Sequence, residues 1–124
     1  MLHHVSLATT DLARATAFYD AALGALGYRR VFGDRTAVGY GIEDGKDLLC
    51  LKLTAAAITP GPGFHLAFAA PSRAAVASFH AAALRHGGID NGAPGLRPDY
   101  GANYFAAFVL DPDGHRIEAV INSA

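Results

Sequence analysis

The amino-acid sequence predicts an α+β chain built from two copies of one βαβββ module, in residues 1–58 and 62–124. Three observations predict it. The chain repeats itself at an offset of 61 residues, which sets His4-Val5-Ser6-Leu7-Ala8 on His65-Leu66-Ala67-Phe68-Ala69. Each half opens with a strand-like alternation and continues with apolar residues at helical spacing. Clusters of glycine, proline and aspartate then divide the remainder into short segments of strand length.

Val5, Leu7 and Thr9 alternate with His4, Ser6 and Ala8, the period of a strand. Asp11 is a good cap for a helix with Leu12, Ala15, Phe18, Ala22 and Leu26 on one face, stopped by Gly27. Short strands are expected over 29–32, 36–42 and 48–53, the last two joined by Glu43-Asp44-Gly45-Lys46. Pro60-Gly61-Pro62 is the linker. The second half repeats the plan: a strand over 64–70, then a helix capped by Ser72. That helix carries Val76, Phe79, Ala83 and Leu84 and is stopped by Gly87-Gly88. The repeat sets Ser72 on Asp11, Phe79 on Phe18, Ala82-Ala83-Leu84 on Ala21-Ala22-Leu23 and Gly88 on Gly27. The run Asp90-Asn91-Gly92-Ala93-Pro94-Gly95-Leu96-Arg97-Pro98 reads as a loop that includes or replaces a short strand. Strands over 104–110 and 116–121 close the half through Asp111-Pro112-Asp113-Gly114.

Composition narrows the function classes. At 124 residues, 52% hydrophobic and 17% charged, the chain can bury a core without staples. A net charge of −1 and no basic run make nucleic acid a poor partner. No apolar run approaches the roughly 20 residues of a membrane span. The start, Met1-Leu2-His3-His4, does not read as a signal peptide. Cys50 is the single cysteine, so no internal disulfide forms, and a reducing, cytoplasmic setting is expected. Within Leu48-Leu49-Cys50-Leu51 it reads as a buried, inert thiol. Gly39 and Gly41 lack the spacing and the following helix of a dinucleotide loop.

Each helix can cover only one face of its sheet. Pairing the other face with a second module makes a pocket. The opening His4-Val5-Ser6-Leu7 with Asp11-Leu12 and Phe18-Tyr19, the repeat His65-Leu66-Ala67-Phe68, and the ending from Phe108 through Asp111-Pro112-Asp113-Gly114 to Glu118 carry a resemblance. Together they resemble the vicinal-oxygen-chelate superfamily (glyoxalase, bleomycin-resistance and extradiol dioxygenase proteins) over nearly the whole chain. The stretch from Asn91 to Pro98 is similar to one shared by a subgroup of short two-module members. The resemblance implies sheets curved as an open barrel around a cavity, and a homodimer. The two modules around each cavity come either from one chain or from two.

It also implies a metal site. Superfamily members take ligands from the first and last strand of each module, which here gives His4, His65 and Glu118, with Glu118 doubling as the catalytic carboxylate. Superposing Asp44-Gly45 on Asp113-Gly114 puts Leu49 at the fourth position, with Leu48 or Cys50 one residue away. Strand alternation supports the trio independently. With Val5 and Leu7, Leu66 and Phe68, and Ile117 and Ala119 facing the helices, all three candidates face the concave side. Two histidines and a carboxylate suit Fe, Mn, Ni or Zn. The function so implied is a divalent-metal-dependent enzyme acting on a small oxygen-chelating substrate, with dioxygenase-like or glyoxalase/isomerase-like lyase chemistry. The alternative is a metal-free protein that sequesters a small molecule, as bleomycin-resistance members do. Arg97, Tyr100, Asn103 and Tyr104, beside the Gly/Pro-rich loop, are the expected substrate contacts. Arg97 and one of the two tyrosines are expected to face the ligand. His80 and His86 read as surface residues, His3 as pointing to the opposite sheet face, and His115 as solvated beside its turn.

Overall fold

A computed structural model describes residues 1–56 and 60–123. The predicted module boundary at residue 58 lies outside the described residues. The elements are β1 (Val5–Thr9), α1 (Leu12–Gly24), β2 (Arg29–Gly33), β3 (Ala37–Glu43), β4 (Lys46–Leu53), β5 (Leu66–Ala69), α2 (Arg73–Arg85), β6 (Ile89–Leu96), β7 (Tyr104–Leu110) and β8 (Arg116–Asn122). They form two four-stranded sheets of the same order, β1-β4-β3-β2 and β5-β8-β7-β6. β1 pairs with β4, and β5 with β8, in parallel; the other pairs are antiparallel. The fold is thus the predicted α+β repeat of two βαβββ modules, with curved sheets that do not close. No described helix is long and apolar enough to cross a membrane.

The helix ends follow from their side chains. Asp11 and Ser72 each accept a hydrogen bond from a backbone N–H three residues on, at 3.0 Å. Gly27 and Gly87 exit the helices at φ +94° and +95°, where a side chain would be strained. Beyond them, the N–H of Tyr28 bonds to Leu23 O and that of Gly88 to Ala83 O. Gly87, and not Gly88, is therefore the counterpart of Gly27, because the second helix exits one residue sooner. Gly88 has a different task. A Cβ there would stand 2.7 Å from Ala83 O and 2.8 Å from the Phe18 ring, so glycine lets α1 and α2 pack closely. Phe18, Ala22, Val76, Phe79 and Ala83 are fully buried in one core shared by both modules. Leu84, expected on the buried face of α2, is exposed. Val76, Phe79 and Ala83 define that face, and Leu84 is turned about 100° past Ala83.

Residues 89–96 form strand β6 against β7, where the sequence suggested a loop. Its register shifts between Asp90 and Gly92 and again between Gly92 and Gly95. Such irregularities accommodate Pro94, which has no N–H to offer a ladder.

The Asp111–Gly114 turn joins the modules. Tyr19 donates to Asp111 Oδ2 at 2.6 Å, while Asp111 Oδ1 accepts from the N–H groups of Asp113 and His115, both at 2.9 Å. His115 Nε2 bonds to Ala8 O at 2.8 Å, and Arg14 pairs with Asp113 at 2.6 Å. His115 is consequently buried, not solvated as expected, because the turn carries it against β1. Burial raises the Asp111 pKa above its ordinary value even though Tyr19 and His115 act to lower it. Burial, with Asp111 beside it, raises that of Tyr19 well above its own.

Candidate functional site

His4 and His65 occupy equivalent places, each immediately before the first strand of its module. Glu118 lies on β8, on the rung of Ala67. Paired residues of a ladder share a face, and His65 lies two residues before Ala67, so imidazole and carboxylate emerge on the same side. His65 Nε2 lies 3.1 Å from Glu118 Oε1. The two side chains differ sharply in exposure, 53% for His65 and 2% for Glu118. A carboxylate so enclosed needs partners for both oxygens. The other oxygen, Oε2, accepts a hydrogen bond from the Tyr104 hydroxyl. Burial and the adjoining carboxylate push the Tyr104 pKa up to about 12, which keeps the phenol a donor.

These groups line a cleft of about 530 Å³ together with Asp99, Tyr100 and Phe108. Tyr100 stands edge-on to Tyr104, with ring centroids 5.3 Å apart. The cleft therefore combines one buried carboxylate, one accessible imidazole, two phenols and an aromatic wall. Such a surface sets an imidazole and a carboxylate side by side, next to aromatic faces against which a planar molecule can stack.

His65, Glu118, Tyr100 and Tyr104 are brought together at this cleft. Arg97 and Asn103 are not among the residues lining the cleft. Arg97 donates to Ala93 O at 2.7 Å and its guanidinium lies 5.3 Å from the Phe108 ring centroid, in space left by Gly92 and Gly95. Asn103 is exposed in the turn before β7. His4 is exposed, with its Nδ1 2.8 Å from that of His3. Among the described residues, no three His, Cys, Asp or Glu side chains gather closely enough to hold one metal ion. A single chain thus presents His65 and Glu118 at one place and His4 at another.

Neither Asp99 nor Phe108 is marked as a site residue by the sequence, yet both line the cleft. The period-2 pattern offers a signal for Phe108, since it pairs with Glu118 and shares its face. Asp99 sits in a turn and had no comparable signal. Ladder register also resolves the fourth position. Ser6 pairs with Cys50 as Ala67 pairs with Glu118, so Cys50 and not Leu49 is the counterpart of Glu118. Leu49 is turned into the core. Burial raises the Cys50 pKa, and its thiol makes a weak contact, 3.7 Å, to Leu51 O.

The family model for the Glyoxalase/Bleomycin resistance protein/Dioxygenase superfamily matches residues 1–119. A glyoxalase/bleomycin resistance protein from Albidiferax ferrireducens is 31% identical, with 97% of each chain covered and a TM-score of 0.83. The fold is shared with the transposon-encoded bleomycin resistance determinant of Tn5, at 20% identity, full coverage of both chains and a TM-score of 0.65. It is shared too with a variant of the fosfomycin resistance protein FosX from Listeria monocytogenes, complexed with Mn(II) and 1S,2S-dihydroxypropylphosphonic acid. That protein is 16% identical, with 99% of this chain and 90% of that chain covered and a TM-score of 0.73. No curated protein matches the chain. Repeat, sheet order and family match together lead to one conclusion: the chain belongs to the glyoxalase/bleomycin resistance protein/dioxygenase superfamily.

Proposed function

We propose that this protein is a divalent-metal-dependent enzyme acting on a small oxygen-chelating substrate, and that its centre is shared between two copies of the chain. His65 and Glu118 come from one copy and His4 from the other, in a cytoplasmic homodimer. The observation that carries the reading is the pairing of accessible His65 with nearly inaccessible Glu118 on one concave face. Two imidazoles and one carboxylate fit first-row divalent ions such as Fe, Mn, Ni or Zn. An ion bound there would supply Lewis acidity to two neighbouring substrate oxygens. Glu118 balances positive charge through Oε1. Tyr100 and Phe108 hold a planar substrate against the wall, and Tyr104 holds Glu118. Dioxygenase-like and isomerase-like lyase outcomes both use these roles.

Metal analysis of protein purified without an affinity tag tests the reading. We expect close to one divalent ion per chain, lost in His65→Ala without loss of fold. Protein that neither retains nor takes up Mn(II), Ni(II) or Zn(II) rules it out. The second reading is a metal-free binding protein of the bleomycin-resistance kind. It is favoured by the separation of His4 from His65 and Glu118 within one chain. A strictly monomeric protein would make that the better account.

A further inference from the structure

We infer that Tyr104 is a positioning residue: its hydroxyl holds one oxygen of Glu118, so the carboxylate can offer only the other to a bound cation. This rests on the metal-centre reading above and deepens it. The geometry assigns the two oxygens different tasks. Oε2 is engaged by Tyr104, while Oε1 faces His65 Nε2 at 3.1 Å on the side of the cleft. With the carboxylate almost wholly enclosed, no solvent competes for Oε2.

The local sequence is shaped to bring the phenol there. Tyr104 pairs with Asn122, and Glu118 pairs with Phe108, so the two side chains start two same-face rungs apart. The rung between them is Ala106 opposite Val120. Ala106 is fully buried and too short to block a ring leaning across it. A larger side chain at 106 would separate phenol from carboxylate. Behind the ring, Gly101 has φ +157°, and a Cβ there would come within 3.2 Å of Asn122 Oδ1 and 3.7 Å of the Tyr104 Cβ. The N–H of Tyr104 bonds to Gly101 O, and its carbonyl accepts from the N–H of Arg97. Tyr100 supports the ring edge-on. The phenol is thus held by backbone, by an aromatic neighbour and by the carboxylate at its tip. A carboxylate limited to one donor oxygen leaves the adjoining coordination positions to substrate oxygens, where a two-oxygen grip would occupy one of them.

Tyr104→Phe removes only the hydroxyl and keeps the ring against Tyr100. Untagged protein would be titrated with Mn(II) and Co(II) by calorimetry, and the visible spectrum of the Co(II)-loaded protein recorded. The near-ultraviolet dichroism of the metal-free form would check the fold. We expect Tyr104→Phe to weaken binding by roughly 10- to 100-fold, the usual cost of losing a partner behind a ligand. The Co(II) bands should also move, because a freed second oxygen changes the ligand field. In a Glu118→Gln background the same substitution should cost nothing further. Equal affinity and an unchanged spectrum in Tyr104→Phe would overturn the inference while leaving the metal centre standing. So would an undiminished cost in the Glu118→Gln background, since Tyr104 would then act elsewhere. If the unsubstituted protein binds neither ion, the metal centre and this inference fall together.

Discussion

Buried where the two modules meet, Asp111 accepts hydrogen bonds from Tyr19 and from the N–H groups of Asp113 and His115. Burial is the largest influence on it and raises its pKa above the ordinary 3.8. A raised folded-state pKa means the folded chain holds the proton more tightly than the unfolded chain. Its contribution to stability is therefore complete below pH 3.8 and is lost as pH climbs through the raised value. The stability advantage of the natural protein over Asp111→Asn should shrink with rising pH across that window. Urea denaturation at a series of pH values measures it, and an advantage that grows with pH would contradict the assignment. Glu118 illustrates a different lesson at this scale. Its place on the concave face was legible from the alternation of Ile117 and Ala119, but its enclosure by Tyr104 depends on a side chain four residues along the ladder from its own partner.

The two helices are near copies that meet through small residues. Both were visible in the repeat, as were their caps, because capping is a local interaction. What the pattern could not separate was the work of Gly87 from that of Gly88, since one is a matter of backbone angle and the other of what lies across the helix pair. Gly88→Ala must push a Cβ against Ala83 O and the Phe18 ring, and should cost about 1–3 kcal/mol. Gly24→Ala, at the end of α1 with nothing within 4 Å of the new Cβ, should be neutral or slightly stabilising. Chemical denaturation of the two variants side by side checks the contrast, and equal effects would show that α1 and α2 do not pack through Gly88. β6 shows the limit of pattern reading. A run with three of its eight residues glycine or proline suggests a loop, yet β7 offers it a partner edge and bulges absorb the misfit.

Within one molecule the buried Tyr19–Asp111 and His115–Ala8 contacts tie the second module's turn to the first module's strand and helix. The concave faces are left open, with His65 and His4 both exposed. A centre shared between copies predicts complementation. His4→Ala and Glu118→Gln chains should each bind metal poorly alone. Mixed and allowed to exchange subunits, they should regain binding, because a heterodimer holds one intact set of His4, His65 and Glu118. Sedimentation should show a dimer in every case. Dimers that exchange yet regain no binding would exclude the shared centre.

The sequence by itself determined the repeat, the module plan and the helix caps, because each rests on periodicity or on interactions between near neighbours, while the candidates His4, His65 and Glu118 came from its resemblance to the superfamily. It left open whether Leu48, Leu49 or Cys50 answers to Glu118, since a one-residue change of register turns every side chain to the other face. Only the ladder, with Ser6 on the rung of Cys50, decided that. Likewise only the tertiary structure buried His115, turned Arg97 onto Phe108 and put the Tyr104 hydroxyl on Glu118. Those outcomes depend on which distant surfaces meet, and a linear pattern carries no record of what lies across a space.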